Sequence, residues 1–139
     1  MTVATPKRLK VNSLDRVVSF TFAHNAATEV IDANFFIADR EYEVISIEEV
    51  HAVAGSDGGA VTMQIRRCQG TEAPSAGDAL LATAFNLKST ANTVVAGTLT
   101  STTANLTLAD GDRLSADVTG TLTALAGGVV TVVLRATEV

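Results

Sequence analysis

The sequence predicts an all-β protein, an antiparallel sandwich or barrel, and three observations predict it. The composition is apolar without being aromatic: hydrophobic residues make up 47% of the chain, aromatic ones only 4%, and Trp is absent. The apolar mass is Val, Ala, Leu and Ile interleaved with Thr, and side chains branched at Cβ suit a pleated surface better than a helix. Apolar residues also recur with a period of two in short runs, the signature of half-buried strands. Turn-forming clusters separate these runs at short spacing, without the long helices that parallel strands need as crossovers.

In chain order, residues 1–12 read as an arm, because Pro6 interrupts regular pairing and no apolar alternation is sustained. Val18, Phe20 and Phe22 then alternate with Ser19 and Thr21, which predicts a strand. A second strand is expected from Glu29 to Ala38; its alternation is less clean and ends in Phe35, Phe36 and Ile37. Asp39-Arg40 turns the chain into a long strand from Tyr42 to Ala54. The apolar phase there moves from Ile45 and Ile47 to Val50 and Ala52, which predicts a β-bulge near Glu48–Glu49.

Gly55–Gly59 reads as a hairpin loop, since glycines reach the positive φ that a tight reversal needs. The return strand carries Val61, Met63 and Ile65 on one face and Thr62, Gln64 and Arg66 on the other. Residues 69–79 form a long connection, and Asp78 is placed to cap one short helix through Ala84. Further strands are expected over Thr93–Thr100, Asn105–Leu108, Arg113–Thr119, Thr121–Leu125 and Val129–Arg135. The predicted organisation is an arm (1–12) ahead of a single sandwich domain (13–139). A chain of 139 residues buries roughly two-thirds of its unfolded surface, enough for one core without staples.

The formal charge is -5, whereas a domain that neutralises phosphates carries a basic surplus, so no nucleic-acid partner is expected. Lys7, Arg8 and Lys10 form a local basic cluster. Cys68 is the only cysteine, which excludes an internal disulfide and a thiolate metal cluster and suits the reducing cytosol. The first residues lack the basic-then-apolar order of an export signal, and no run approaches 18 apolar residues, so neither export nor a membrane partner is expected.

No catalytic constellation emerges, and the chain is expected not to be an enzyme. His24 and His51 have no G-x-S-x-G elbow to serve. Glu49 and His51 share a strand face as two possible metal ligands, but catalytic zinc needs a third; His51 is read as a surface histidine. Glu48 and Glu49 are adjacent, point to opposite faces and make a poor acid/base pair. Asp110-Gly111-Asp112 lacks the remaining ligands of a calcium loop and reads as a tight turn between Leu108 and Leu114. Gly58-Gly59 and Gly127-Gly128 precede no helix or lysine that would make a phosphate cradle. Cys68 ends a strand beside two arginines and is read as structural. No cofactor and no metal are expected.

The segment from Asn105 to Leu134, NLTLADGDRLSADVTGTLTALAGGVVTVVL, joins an apolar strand, a Gly-Asp turn, a strand with Leu114, Ala116 and Val118, and a final Val-rich strand. It resembles the C-terminal half of small jelly-roll proteins with an x-G-D-x-L turn. With the length, the arm and the composition, it is similar to the jelly-roll cement (decoration) proteins of tailed-phage capsids, such as those of short-tailed Bordetella phages. The resemblance implies a jelly-roll-like antiparallel β-sandwich on the outer capsid surface of a virion, made in the cytoplasm of a bacterial host. The implied partners are the major capsid protein and further copies of the chain, as a homodimer or alternatively a trimer. The residues expected to touch the capsid are those of the arm: Thr2, Val3, Ala4, Thr5, Pro6, Lys7, Arg8, Leu9 and Lys10. The alternative is a phage fibre, tail or host-adhesion module on the same sandwich that binds glycans.

Overall fold

The structure is a computed structural model that describes residues 15–23 and 32–137. The arm (1–12) with all of its expected contact residues, His24, and the start of the second expected strand lie outside the described residues.

Two antiparallel sheets face each other across one core. The first places β1 (Asp15–Phe22) beside β10 (Gly128–Ala136) and β10 beside β3 (Tyr42–Val50); two short strands, β7 (Val95–Ala96) and β8 (Thr107–Leu108), share the far edge of β3. The second runs from β2 (Ala33–Ile37) through β9 (Arg113–Thr119) to β4 (Thr62–Cys68), with β5 (Asp78–Ala79) and β6 (Phe85–Asn86) on the far edge of β4. Counting β5/β6 and β7/β8 as two interrupted strands leaves eight positions, filled alternately from the two sheets except between β4 and β5. That is the order of a double Greek key rolled into a jelly roll. The predicted all-β sandwich is the fold.

The stripes that predicted the strands meet in the middle. Phe22, Val44, Ile47, Val130, Val132 and Leu134 come from the first sheet, Met63, Ile65, Leu114 and Ala116 from the second. Leu80, Leu81 and Leu87 fill the space under the connections. Burying each large apolar side chain contributes roughly 1.5–3 kcal/mol before conformational entropy is subtracted.

Several local expectations are corrected. Gly55–Gly59 is not a hairpin loop: β3 and β4 lie in different sheets. Neither Gly55, Gly58 nor Gly59 adopts a positive φ, and the loop is tied elsewhere, Gly55 N donating to Leu87 O (2.9 Å) and Ser56 N to Thr123 O (2.9 Å). The apolar stripes of β3 and β4 face one another only if the strands sit on opposite sides of the core. The bulge in β3 falls at Ile45, since Val133 stands opposite Ser46 and Leu134 opposite Val44. No helix follows Asp78, whose carboxylate pairs with Arg67 (2.7 Å) instead of capping; the turn there is a 3-10 turn at Pro74–Ala76. The strand expected over Thr93–Thr100 is only Val95–Ala96, and that over Asn105–Leu108 is a 3-10 turn (Thr103–Leu106) followed by two paired residues. Thr121–Leu125 is a turn whose Leu122 and Leu125 plug the end of the core.

Candidate functional site

Moving the bulge to Ile45 changes which residues face inward. Tyr42, Val44, Ile47, Glu49 and His51 are buried, while Glu48 points to solvent. His51 is therefore not the surface histidine expected: it is 0% exposed and Glu49 1%. Its Nδ1 lies 2.5 Å from Glu49 Oε1 and its Nε2 lies 2.9 Å from the Ser89 carbonyl oxygen. A carbonyl oxygen only accepts, so Nε2 carries a hydrogen and donates it, and a second proton is shared between Nδ1 and Oε1. Burial holds the Glu49 carboxyl above its ordinary 4.5, with the His51 hydrogen bond pulling the other way.

The backbone closes the same region, because Asn92 N donates to His51 O at 2.7 Å. Chemically, the pair is a proton-sharing clasp that ties the 86–94 loop to the end of β3. Among the described residues, no three His, Cys, Asp or Glu side chains are grouped to hold a metal ion.

Other singled-out residues stand as follows. Asp110-Gly111-Asp112 forms the expected turn, with Gly111 at φ +91°. Its Asp112 carboxylate faces inward, accepting from Ala109 N (2.9 Å) and Gln69 Nε2 (3.4 Å). Cys68 is buried with its Sγ 3.5 Å from Ala73 O. The neighbouring guanidinium groups are engaged by carboxylates, Arg66 by Asp117 (2.8 Å) and Arg67 by Asp78 (2.7 Å).

The surfaces suited to recognition are the edges and the outer face of the first sheet. On that face, cross-strand rows read Asp15–Arg135–Glu43, Val17–Val133–Ser46, Ser19–Thr131–Glu48 and Thr21–Val129–Val50, so the first row is fully charged and the other three carry only Glu48. Strands β1 and β2 end their sheets on the same side of the sandwich, where Phe20 stacks on Phe35 at 5.2 Å. Among the described residues neither outer edge is paired, and an unpaired edge is a row of backbone donors and acceptors ready for another strand.

At this side, Arg16, Asn34, Phe35, Phe36, Ile37 and Arg113 line a groove of about 540 Å³. Sequence reasoning did not single these residues out as a group. The available signal was the Phe35-Phe36 doublet, which breaks the alternation of its strand; the register slips there, leaving Phe35 without a partner on β9. In comparison with known proteins, no family model, no curated relative and no solved structure matches this chain.

Proposed function

We propose that the chain is a decoration protein: it binds the outer surface of an assembled icosahedral phage capsid and stabilises it by bridging major capsid protein subunits. Fold alone does not select that function. The observation that carries the reading is the agreement between the resembling segment and its place in the fold. Its Gly-Asp turn joins β8 to β9 and is fastened to the end of β2 by Gly111 N donating to Ala38 O and Ala38 N to Asp112 O, both 2.8 Å. The two strands that follow, β9 and β10, take interior positions in the two sheets. An outer face whose charges gather in one end row and at Glu48, and two adjacent edges unpaired among the described residues, give such a protein shape and backbone to bind with.

The mechanism is linkage. A protein that binds the assembled shell and not free subunits stabilises assembly by about 2.7 kcal/mol per site at a hundredfold excess over Kd. Self-association at a local two-fold axis, with a trimer as the alternative, adds avidity across neighbouring capsomers. The arm, Thr2 to Lys10, supplies contacts in extended form by strand addition, on a virion assembled in the bacterial cytoplasm.

Deleting residues 2–10 should leave a folded domain that no longer co-sediments with purified shells. Full occupancy after the deletion, read by cryo-electron microscopy of the particles, would overturn the arm's role. Absence of the chain from particles of the phage that encodes it would overturn the function.

A further inference from the structure

The geometry points to the groove along β2 as a docking site for an extended acidic segment of a partner protein, added as a further strand to the second sheet. In its assignment to a capsid subunit, this inference rests on the function proposed above; in its chemistry it does not. The bulge at Phe35 gives the groove two sides. Asn34 and Ile37 stand opposite Ser115 and Arg113 on the outer face of the sheet. Phe35 and Phe36 turn toward the opening between the sheets, Phe35 against Phe20 (5.2 Å) and Phe36 edge-on to Tyr42 (5.9 Å). From the other sheet the Arg16 guanidinium lies over the Phe36 ring, 5.1 Å from its centroid. A strand laid along β2 alternates its side chains between these two sides, polar ones toward Asn34 and Arg113 and apolar ones toward the aromatic pair. Ile37, 69% exposed, is the most exposed large apolar residue described and sits within this groove.

Charge selects the occupant. Arg113 donates only to neutral oxygens: Asn34 Oδ1 (2.9 Å), Gly70 O (3.0 Å) and Glu72 O (3.0 Å). Among the described residues it has no carboxylate within ion-pair distance, whereas Arg16, Arg40, Arg66, Arg67 and Arg135 each have one. Asn34 Oδ1 is already occupied by Arg113 and by Ser115 Oγ (2.7 Å), so what Asn34 still offers a ligand is its amide N–H groups. The polar lining thus holds a guanidinium whose described partners are all neutral, beside the Asn34 amide N–H groups, and a carboxylate is the acceptor that bonds guanidinium most strongly. The chain's own residues 1–14 are a poor match, since they hold Lys7, Arg8 and Lys10 and no Asp or Glu.

The test uses the full chain and two fluorescein-labelled heptapeptides, one alternating Val with Glu and one alternating Val with Lys, followed by anisotropy and by amide chemical shifts. The acidic peptide should bind about tenfold or more tightly than the basic one, with shifts centred on Asn34, Ile37 and Arg113. Arg113→Gln should weaken it by about tenfold. Ile37→Glu, at a residue exposed enough not to endanger folding, should abolish binding. Equal affinity for the two peptides, or shifts confined to β1, would overturn the proposal. So would a gain in peptide affinity on deleting residues 2–10, which would give the groove to the chain's own arm. A dimer that dissociates on Ile37→Glu would give it instead to a second copy. Peptide binding without shell decoration would sink the capsid reading alone; shell decoration untouched by Ile37→Glu, with no peptide bound, would sink the groove alone.

Discussion

At the scale of single residues, the sharpest consequences come from buried positions. Glu49 titrates higher in the fold than in the unfolded chain, with burial as the first cause. A carboxyl so shifted contributes stability that is complete below about 4.5 and is lost as pH rises through the raised value. The unfolding free energy read from urea titrations should therefore fall as pH rises above about 4.5, by up to about 1.4 kcal/mol per pH unit for one proton, and level off once the raised value is passed. Glu49→Gln should flatten that slope, because the amide can donate to Nδ1 at every pH; an unchanged slope would show that another group carries it. Asp15 and Asp39 shift the opposite way, lowered first by hydrogen bonds from Arg135 and Tyr42, so their contribution is lost only as pH falls below about 4. Gly128 stands opposite Phe22, and a Cβ there would lie 2.2 Å from the ring. Gly128→Ala should cost about 1–3 kcal/mol in chemical denaturation, and Phe22→Leu in the same chain should recover part of it. No loss in the single variant would mean that the ring packs elsewhere.

Among elements, β3 is the instructive one. Its phase change was legible in the sequence, but its position was not. Ile45, Ile47, Val50 and Ala52 are all apolar, and hydropathy alone cannot tell which of them face the core. The deciding fact is that the polar Glu49 and His51 face inward, where Oε1 of one meets Nδ1 of the other and Nε2 donates to Ser89 O, although Glu49 Oε2 has no partner. Removing Ile45 leaves Val44 and Ile47 two residues apart, so Tyr42, Val44, Ile47, Glu49 and His51 stay in phase. That deletion should fold and lose no more than about 2 kcal/mol, whereas deleting Glu48 turns Glu49 and His51 outward and should unfold the chain at room temperature. Circular dichroism and thermal melting of the two deletions check this, and equal stability would place the bulge elsewhere. Strands β9 and β10 were read almost to the residue because clean alternation and glycine turns bound them. Residues 78–84 were misread as helix because their local propensity was outweighed by pairing with β4, where Leu80 N donates to Ile65 O. Nothing local in the sequence announces that pairing.

At the scale of the whole molecule, the fold class followed from composition and periodicity, but the pairing of strands did not, since each stripe fits either sheet equally well. The groove was illegible for the same reason: Arg16, Asn34 and Arg113 are far apart in sequence and meet only through the pairing of β2 with β9 and the closure of β1 over it. The proposed attachment to a shell should weaken only modestly between 0.05 and 0.5 M salt, because the basic residues of the arm, Lys7, Arg8 and Lys10, are few; release of all bound copies at 0.15 M salt would show that charge dominates instead. One feature of the topology also bears on how the protein is made. In the first sheet, β10 is the bridge between β1 and β3, yet it leaves the ribosome after all the other strands. Until it does, β1 and β3 lack their main partner, so a nascent chain must hold these two half-apolar strands apart, and ribosome stalling before Gly128 should make it a client of chaperones.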